Sequence, residues 1–89
     1  MEEYDTQESR DAVLHAGYEL HIRQGYEAFN GAMISNFLKQ EGVQELPTAS
    51  IRRACEYLLE EGLFTEAHYG TSFSITVSGI DQVEGDRER

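Results

Sequence analysis

Cysteine, proline, positive charge and long apolar runs are all scarce in this 89-residue chain. Its one cysteine, Cys55, cannot form an internal disulfide, and with three scattered histidines it gives no zinc-ligand spacing. The apolar runs are a few residues long, whereas a bilayer span needs roughly 20. The N-terminus is acidic where a signal peptide would be basic. We therefore expect a cytoplasmic protein with no membrane association, no metal and no other cofactor.

Basic residues are outnumbered: seven Lys and Arg stand against 17 Asp and Glu, for a formal net charge of −10. Such a charge argues against sequence-independent attraction to nucleic acids or anionic membranes, because that attraction depends on neutralising phosphates. More than half of the acidity lies at the two ends, and residues 9–80 hold nine acids and five bases. The distribution of charge therefore matters more than its total.

Recognisable catalytic groupings are also missing. The sequence has no Ser/His/Asp arrangement, no glycine-rich phosphate loop and no pair of acids in an apolar setting, so we predict that it is not an enzyme. An apolar content of 39% and a charged content of 27% are typical of one small globular domain. We place this domain at residues 9–84, between an acidic flexible tail (1–8) and a charged tail (85–89).

Three helices are predicted by apolar periodicity and capping residues. The first covers residues 9–24. A second follows Asn30 as its N-cap and ends before Gly42, which occupies a typical position for a C-terminal glycine. The third begins after Pro47 and ends at Gly62. Its predicted buried face consists of Ile51, Ala54, Cys55, Leu58 and Leu59, so Cys55 is interpreted as a core residue.

After the helices, residues 63–69 and 72–77 are rich in aromatic and β-branched types and predict a β-hairpin. A short extended segment is expected at 26–29, before the second helix. Thr76 or Ser78 is suited to cap a short terminal turn of helix beyond the hairpin. One apolar face of the second strand is predicted to consist of Phe73, Ile75 and Val77.

Two stretches are distinctive, SIRRACEYLLEEGLF at 50–64 and ITVSG at 75–79. The first resembles the recognition helix of MarR- and PadR-like transcriptional regulators, running through an L-x-x-E-G-L turn into the first wing strand. The second is similar to the L-T-x-x-G that closes the wing in those families. The resemblance spans about residues 9–84. It implies an α+β winged helix-turn-helix fold, with a three-helix core, a C-terminal two-stranded wing and a short terminal helical turn.

We interpret the chain as a sequence-specific DNA-binding transcriptional regulator, with double-stranded DNA as its partner. The recognition helix (about 48–61) would enter the major groove, where Arg52 and Arg53 can donate to guanine O6 and N7. The helix start and the wing (about 63–77) would hold phosphates. The candidate DNA-binding residues are Lys39, Thr48, Ala49, Ser50, Arg52, Arg53, Tyr57, His68, Tyr69 and Thr71.

A second interpretation is an acidic winged-helix module that binds protein instead of DNA. Net charge favours it, and the resemblance implies a cationic wing tip where this chain has His68 and Tyr69. Arg52 lies four residues before Glu56, so a surface ion pair is an alternative role for it. Tyr57 can equally contact phosphate or pack within the fold.

One further stripe on the first helix predicts a homodimer. Leu14, Tyr18 and Ile22 lie four residues apart on a second side of the helix, which makes it apolar on more faces than a small monomer needs to cover. We predict that these three residues form a dimer interface. The alternative is that they belong to the core, beneath the N-terminal residues.

Overall fold

The computed structural model describes residues 7–42, 46–67 and 72–87, with side chains as far as residue 85. It is an α+β structure with four helices and an antiparallel hairpin that follows the third helix. In the hairpin, Phe64 pairs with Ile75 and Ala67 with Ser72. The elements in chain order are α1 (Gln7–Ile22), α2 (Gly31–Gln40), α3 (Thr48–Glu60), β1 (Phe64–Ala67), β2 (Ser72–Ile75) and α4 (Val77–Arg87).

Local chemistry sets the ends of α2 and α3, as predicted. The Asn30 side chain accepts a hydrogen bond of 2.9 Å from the Met33 backbone N–H, which otherwise has no partner in the first turn. Gly42 and Gly62 follow α2 and α3 with φ values of 72° and 77°, in the left-handed region that favours glycine. Each glycine therefore ends its helix in a turn.

The core lies where α1, α2 and α3 meet the hairpin. Phe29 and Phe64 are almost fully buried, and their rings meet edge to face with centroids 5.2 Å apart. The predicted extended segment is pinned to β2 by two backbone hydrogen bonds, from Phe29 N–H to Phe73 O at 2.8 Å and from Phe73 N–H to Phe29 O at 2.7 Å. This bridge fixes the entry to α2 against the hairpin.

Helix α1 differs from its predicted bounds. It begins at Gln7, so Gln7 and Glu8 belong to the helix and not to a tail, and it ends at Ile22. Ser9, where the helix was predicted to begin, lies inside its first turn and is 4% exposed. Position 17 lacks a side chain where the helix approaches the aromatic core, since a Cβ there would lie 2.8 Å from the rings of both Phe29 and Phe64.

The element after the hairpin is a full helix of 11 residues, not the short turn that was predicted. Thr76 caps it, because the Gly79 N–H donates to Thr76 Oγ1 at 3.1 Å. Val77 was placed on the apolar face of the second strand, but it is the first residue of α4 and is 74% exposed. The predicted C-terminal tail from residue 85 is helical as far as residue 87.

The presence of α4 corrects the predicted dimer interface. This helix packs against α1, and the Tyr18 hydroxyl donates to Glu84 Oε2 at 2.9 Å. Leu14 and Tyr18 are consequently 4% and 5% exposed within the single chain, whereas Ile22 is 49% exposed. Two of the three stripe residues are thus core residues, and a second copy cannot contact them without displacing part of the fold.

Candidate nucleic-acid interface

Helix α3 presents one side to the core and the other to solvent. It packs against α1, α2 and β1 through an inward face that includes Ile51, Ala54 and Leu58, each at most 3% exposed. The opposite side carries both adjacent arginines, Arg52 and Arg53, as the sequence predicted. A helix held in this way offers its outer side as a rigid surface.

The two arginines differ in their surroundings. Arg53 Nη1 lies 3.8 Å from Glu56 Oε1, and the two side chains are 60% and 55% exposed. A surface pair this open is a weak contact that solvent screens. Arg52 makes no ion pair with any residue in the described part of the chain. Glu56, the partner that an ion pair of Arg52 would have used, lies close to Arg53 instead. The guanidinium of Arg52 is available to a ligand.

Two other arginines have intramolecular roles. The Arg10 guanidinium lies over the Tyr57 ring, 3.8 Å from its centroid. Arg23 Nη1 donates to Glu19 Oε1 at 2.9 Å, and this bond, with the charges of Glu19 and Glu41, raises the pKa of Arg23. Both cations are therefore committed to the fold, in contrast to Arg52.

The other predicted DNA-contacting residues of α3 differ in their exposure. Thr48 is exposed and Ala49 is partly exposed at the helix start. Ser50 is only 3% exposed, because it shares the inward side of the helix with Ile51, and it cannot reach a phosphate from there. Tyr57 is partly buried and covered by Arg10. Of its two predicted roles, phosphate contact or packing within the fold, the structure shows the packing.

Other predicted contacts lie off this helix. Lys39 is exposed in the last turn of α2. His68, Tyr69 and Thr71 lie outside the described residues, between β1 and β2, and their DNA contacts remain predictions.

The exposed side of α3 changes sign along its length. Its first half carries the two arginines next to the positive end of the helix dipole. Its second half carries Glu56 and Glu60, both exposed, and the helix is followed by Glu61. An anion would therefore be attracted to the start of α3 and repelled from its end.

A groove of about 480 Å³, which was not predicted from the sequence, adjoins the start of α3. It lies between the first turns of α2 and α3, and Phe73 of β2 contributes to its wall. Ile51 and Cys55 also line it, and burial together with the charge of Glu56 raises the pKa of the Cys55 thiol to about 12. Polar groups on the groove come from Ser35, Asn36, Thr48 and Arg52.

Within the described ranges, no helix is both long enough and apolar enough to cross a membrane. The same residues contain no cluster of three or more His, Cys, Asp or Glu side chains placed to hold a metal ion. Comparison with models of protein families, with curated proteins and with solved structures finds no match to this chain.

Proposed function

We propose that this chain is a winged helix-turn-helix domain that binds double-stranded DNA through the first half of α3 and regulates transcription. The observation that carries the proposal is Arg52. It is exposed on a rigidly packed helix and has no ion-pair partner in the described part of the chain.

The arrangement of elements supports the winged-helix part of the proposal. Helices α2 and α3 are joined by a connection of seven residues, and α3 leads directly into an antiparallel hairpin. The Phe29–Phe73 bridge holds the segment before α2 beside β2. A recognition helix followed by a small sheet is the layout in which α3 would enter the major groove and the hairpin would lie along the backbone.

The change of charge along α3 favours one orientation of this helix on the DNA. Its first half would point into the groove, where the Arg52 guanidinium can donate two hydrogen bonds to one guanine. The Thr48 hydroxyl and the free backbone N–H groups of the first turn would hold a phosphate. Glu56 and Glu60 would face away from the phosphates, because each would otherwise repel them.

The net charge of −10 determines how much of the DNA affinity can come from phosphate contacts and how much must come from base contacts. Few cations would touch phosphates, so non-specific binding should be weak and the dependence on salt shallow. Discrimination between sequences would rest on the base contact of Arg52, worth about 1–3 kcal/mol. The homodimer remains part of the proposal, with Ile22 as the only one of its three predicted residues still exposed.

A selection from random duplexes followed by fluorescence anisotropy at low salt tests the proposal. Arg52→Ala should raise the Kd for the selected duplex about 5- to 150-fold and relax the preference at one base pair. Arg53→Ala should have a smaller effect, because Glu56 already competes for that cation. Asp81→Asn, an exposed charge change on α4, is the matched control and should leave the preference for the duplex unchanged.

The DNA proposal is refuted if no duplex is enriched and no binding occurs at micromolar protein. An Arg52→Ala variant that binds the selected duplex as tightly as the original chain refutes the role of Arg52.

A protein-binding module is the second candidate, favoured by the acidic second half of α3. Glu56 and Glu60 present an exposed anionic patch whose nearest arginine, Arg53, is already paired. A partner with a basic surface would fit this patch. Co-purification of a stoichiometric protein that is lost in a Glu56→Gln/Glu60→Gln variant, together with no DNA binding, would establish this function instead.

A further inference from the structure

We propose that the groove between α2 and α3 binds the C-terminus of a partner protein that ends in an apolar residue, with Arg52 pairing with the terminal carboxylate. The proposal does not rest on DNA binding, and it assigns a function to a cavity that the proposed recognition of DNA leaves unexplained.

The groove has an apolar part and a cationic part. Ile51, Phe73 and Ala32 contribute apolar surface, and an apolar side chain placed there would leave water. Arg52 contributes a guanidinium without an ion-pair partner in the described part of the chain. An occupant must therefore combine an apolar body with an anionic group that accepts hydrogen bonds from the arginine, as a carboxylate does.

The backbone reinforces the preference for an anion. Both helices begin beside the groove, α2 at Gly31 and α3 at Thr48, so the positive ends of two helix dipoles lie next to it. Here the helix ends add to an available arginine and a formed cavity.

The polar side chains of the groove favour a peptide end over a simple apolar acid. Asn36 offers an amide that both donates and accepts, and Ser35 and Thr48 offer hydroxyl groups. These groups match the N–H and C=O groups of a peptide backbone, whereas the hydrocarbon part of a simple apolar acid could form no hydrogen bond with them. Exposed residues line the groove, among them Asn36, Thr48 and Arg52, so the end of a chain can reach it from solvent.

The test is a two-dimensional ¹H–¹⁵N NMR titration of the full chain, without DNA, with acetylated tetrapeptides of sequence Ala-Ser-Ala followed by Leu or Phe. The free-acid peptides should perturb amides of α2 residues 31–36, α3 residues 48–55 and Phe73. Their C-terminally amidated forms, which differ only in lacking the carboxylate, should bind at least tenfold more weakly. A matching peptide that ends in Asp should also bind more weakly, because its last side chain is charged.

Variants separate the carboxylate contact from the apolar contact. Arg52→Ala should weaken binding of the acid by about tenfold or more and leave the affinity for the amide unchanged. Its neighbour Arg53→Ala is the matched control, since Arg53 does not line the groove, and it should change neither affinity. Ser35→Leu should obstruct the groove and weaken both peptides while Arg52 remains. The amide spectrum of each variant reports whether it is folded.

Equal binding of acid and amide, equal losses in the two arginine variants, or perturbations confined to another surface would each overturn the proposal. So would the absence of any groove perturbation by both the Leu and the Phe peptide. Because no DNA is present, these outcomes are independent of whether the DNA proposal succeeds.

Discussion

Two glycines of α4 should respond in opposite ways to the same substitution. A methyl group on Gly79 would overlap the backbone carbonyl oxygen of Leu63 and would lie 2.7 Å from Ile75 Cγ1. A methyl group on Gly85 would meet nothing within 4 Å. Gly79→Ala and Gly85→Ala therefore compare one chemical change in one helix, with and without a close neighbour.

The magnitudes follow from two opposing effects. Alanine favours a helix interior over glycine by up to about 1 kcal/mol. Overpacking costs about 1–3 kcal/mol, and at Gly79 the obstructing atom is a carbonyl that already accepts a hydrogen bond of 3.0 Å from the Thr76 N–H. We expect Gly79→Ala to lower the free energy of unfolding by about 1–2 kcal/mol and Gly85→Ala to raise it by about 0.5–1 kcal/mol.

Urea unfolding followed by circular dichroism at 222 nm measures both variants, with a thermal scan beside it. A loss of about 1–2 kcal/mol in a domain of this size lowers Tm by about 5–15 °C, and the gain at Gly85 raises it by a few degrees. The slope of unfolding free energy against urea should stay constant, so that midpoints report stability. A Gly79→Ala variant as stable as Gly85→Ala would refute the close approach of α4 to Leu63.

Three further outcomes are expected. Thr76→Val keeps the shape of the side chain but removes the cap of Gly79, and urea unfolding should show a loss of about 1–2 kcal/mol. Tyr18→Phe removes the hydroxyl that donates to Glu84 and should cost about 1 kcal/mol by the same measurement, whereas an unchanged value would show that this bond does not hold α4. The Cys55 thiol has a pKa raised to about 12 from 9.0, so between these values the unfolded chain loses a proton that the folded chain keeps, and stability falls as pH rises. Between pH 8 and pH 11 the free energy of unfolding should therefore fall by up to about 1.4 kcal/mol per pH unit because of Cys55. The Cys55→Ala variant should lack this part of the pH dependence.

The ends of α2 and α3 were predictable because the residues that set them act locally. Asn30 reaches the N–H of a residue three positions on, and Gly62 adopts a positive φ at the turn that it occupies. Helix α4 was underestimated because its sequence contains two glycines and few apolar residues, so its propensity is poor. Its length follows from packing against α1 and from the Thr76 cap, and the first of these is a long-range contact.

The candidate site was predictable only where helical periodicity decides exposure. That periodicity placed Arg52 and Arg53 outside and Cys55 inside, in agreement with the structure. It did not indicate that Arg10 would cover Tyr57, because the two residues belong to different helices. The groove was missed for the same reason, since its walls come from three separate elements, α2, α3 and β2.

The two stretches that resemble the regulators are in direct contact with each other. The Thr76 hydroxyl lies 2.7 Å from Gly62 O and 3.0 Å from Leu63 O, to which it can donate in the turn after α3. Its oxygen at the same time accepts the hydrogen bond from the Gly79 N–H in the first turn of α4. Gly79 has no side chain because α4 approaches that same turn. Gly62 and Leu63 of the first stretch and Thr76 and Gly79 of the second thus have a structural role, which is to form the junction of α3, the hairpin and α4.

That junction contains neither Arg52 nor any residue of the groove. A chain could keep the turn, the Thr76 cap and the glycine contact while exchanging every side chain that touches a ligand. The resemblance therefore supports the layout of the domain and carries no weight in deciding between DNA, a protein surface and a peptide end. That decision depends on which ligand is bound and which charges it needs. Loss of the Arg52 guanidinium should weaken DNA and the free-acid peptide alike, whereas loss of the Glu56 and Glu60 charges should weaken only a basic protein surface.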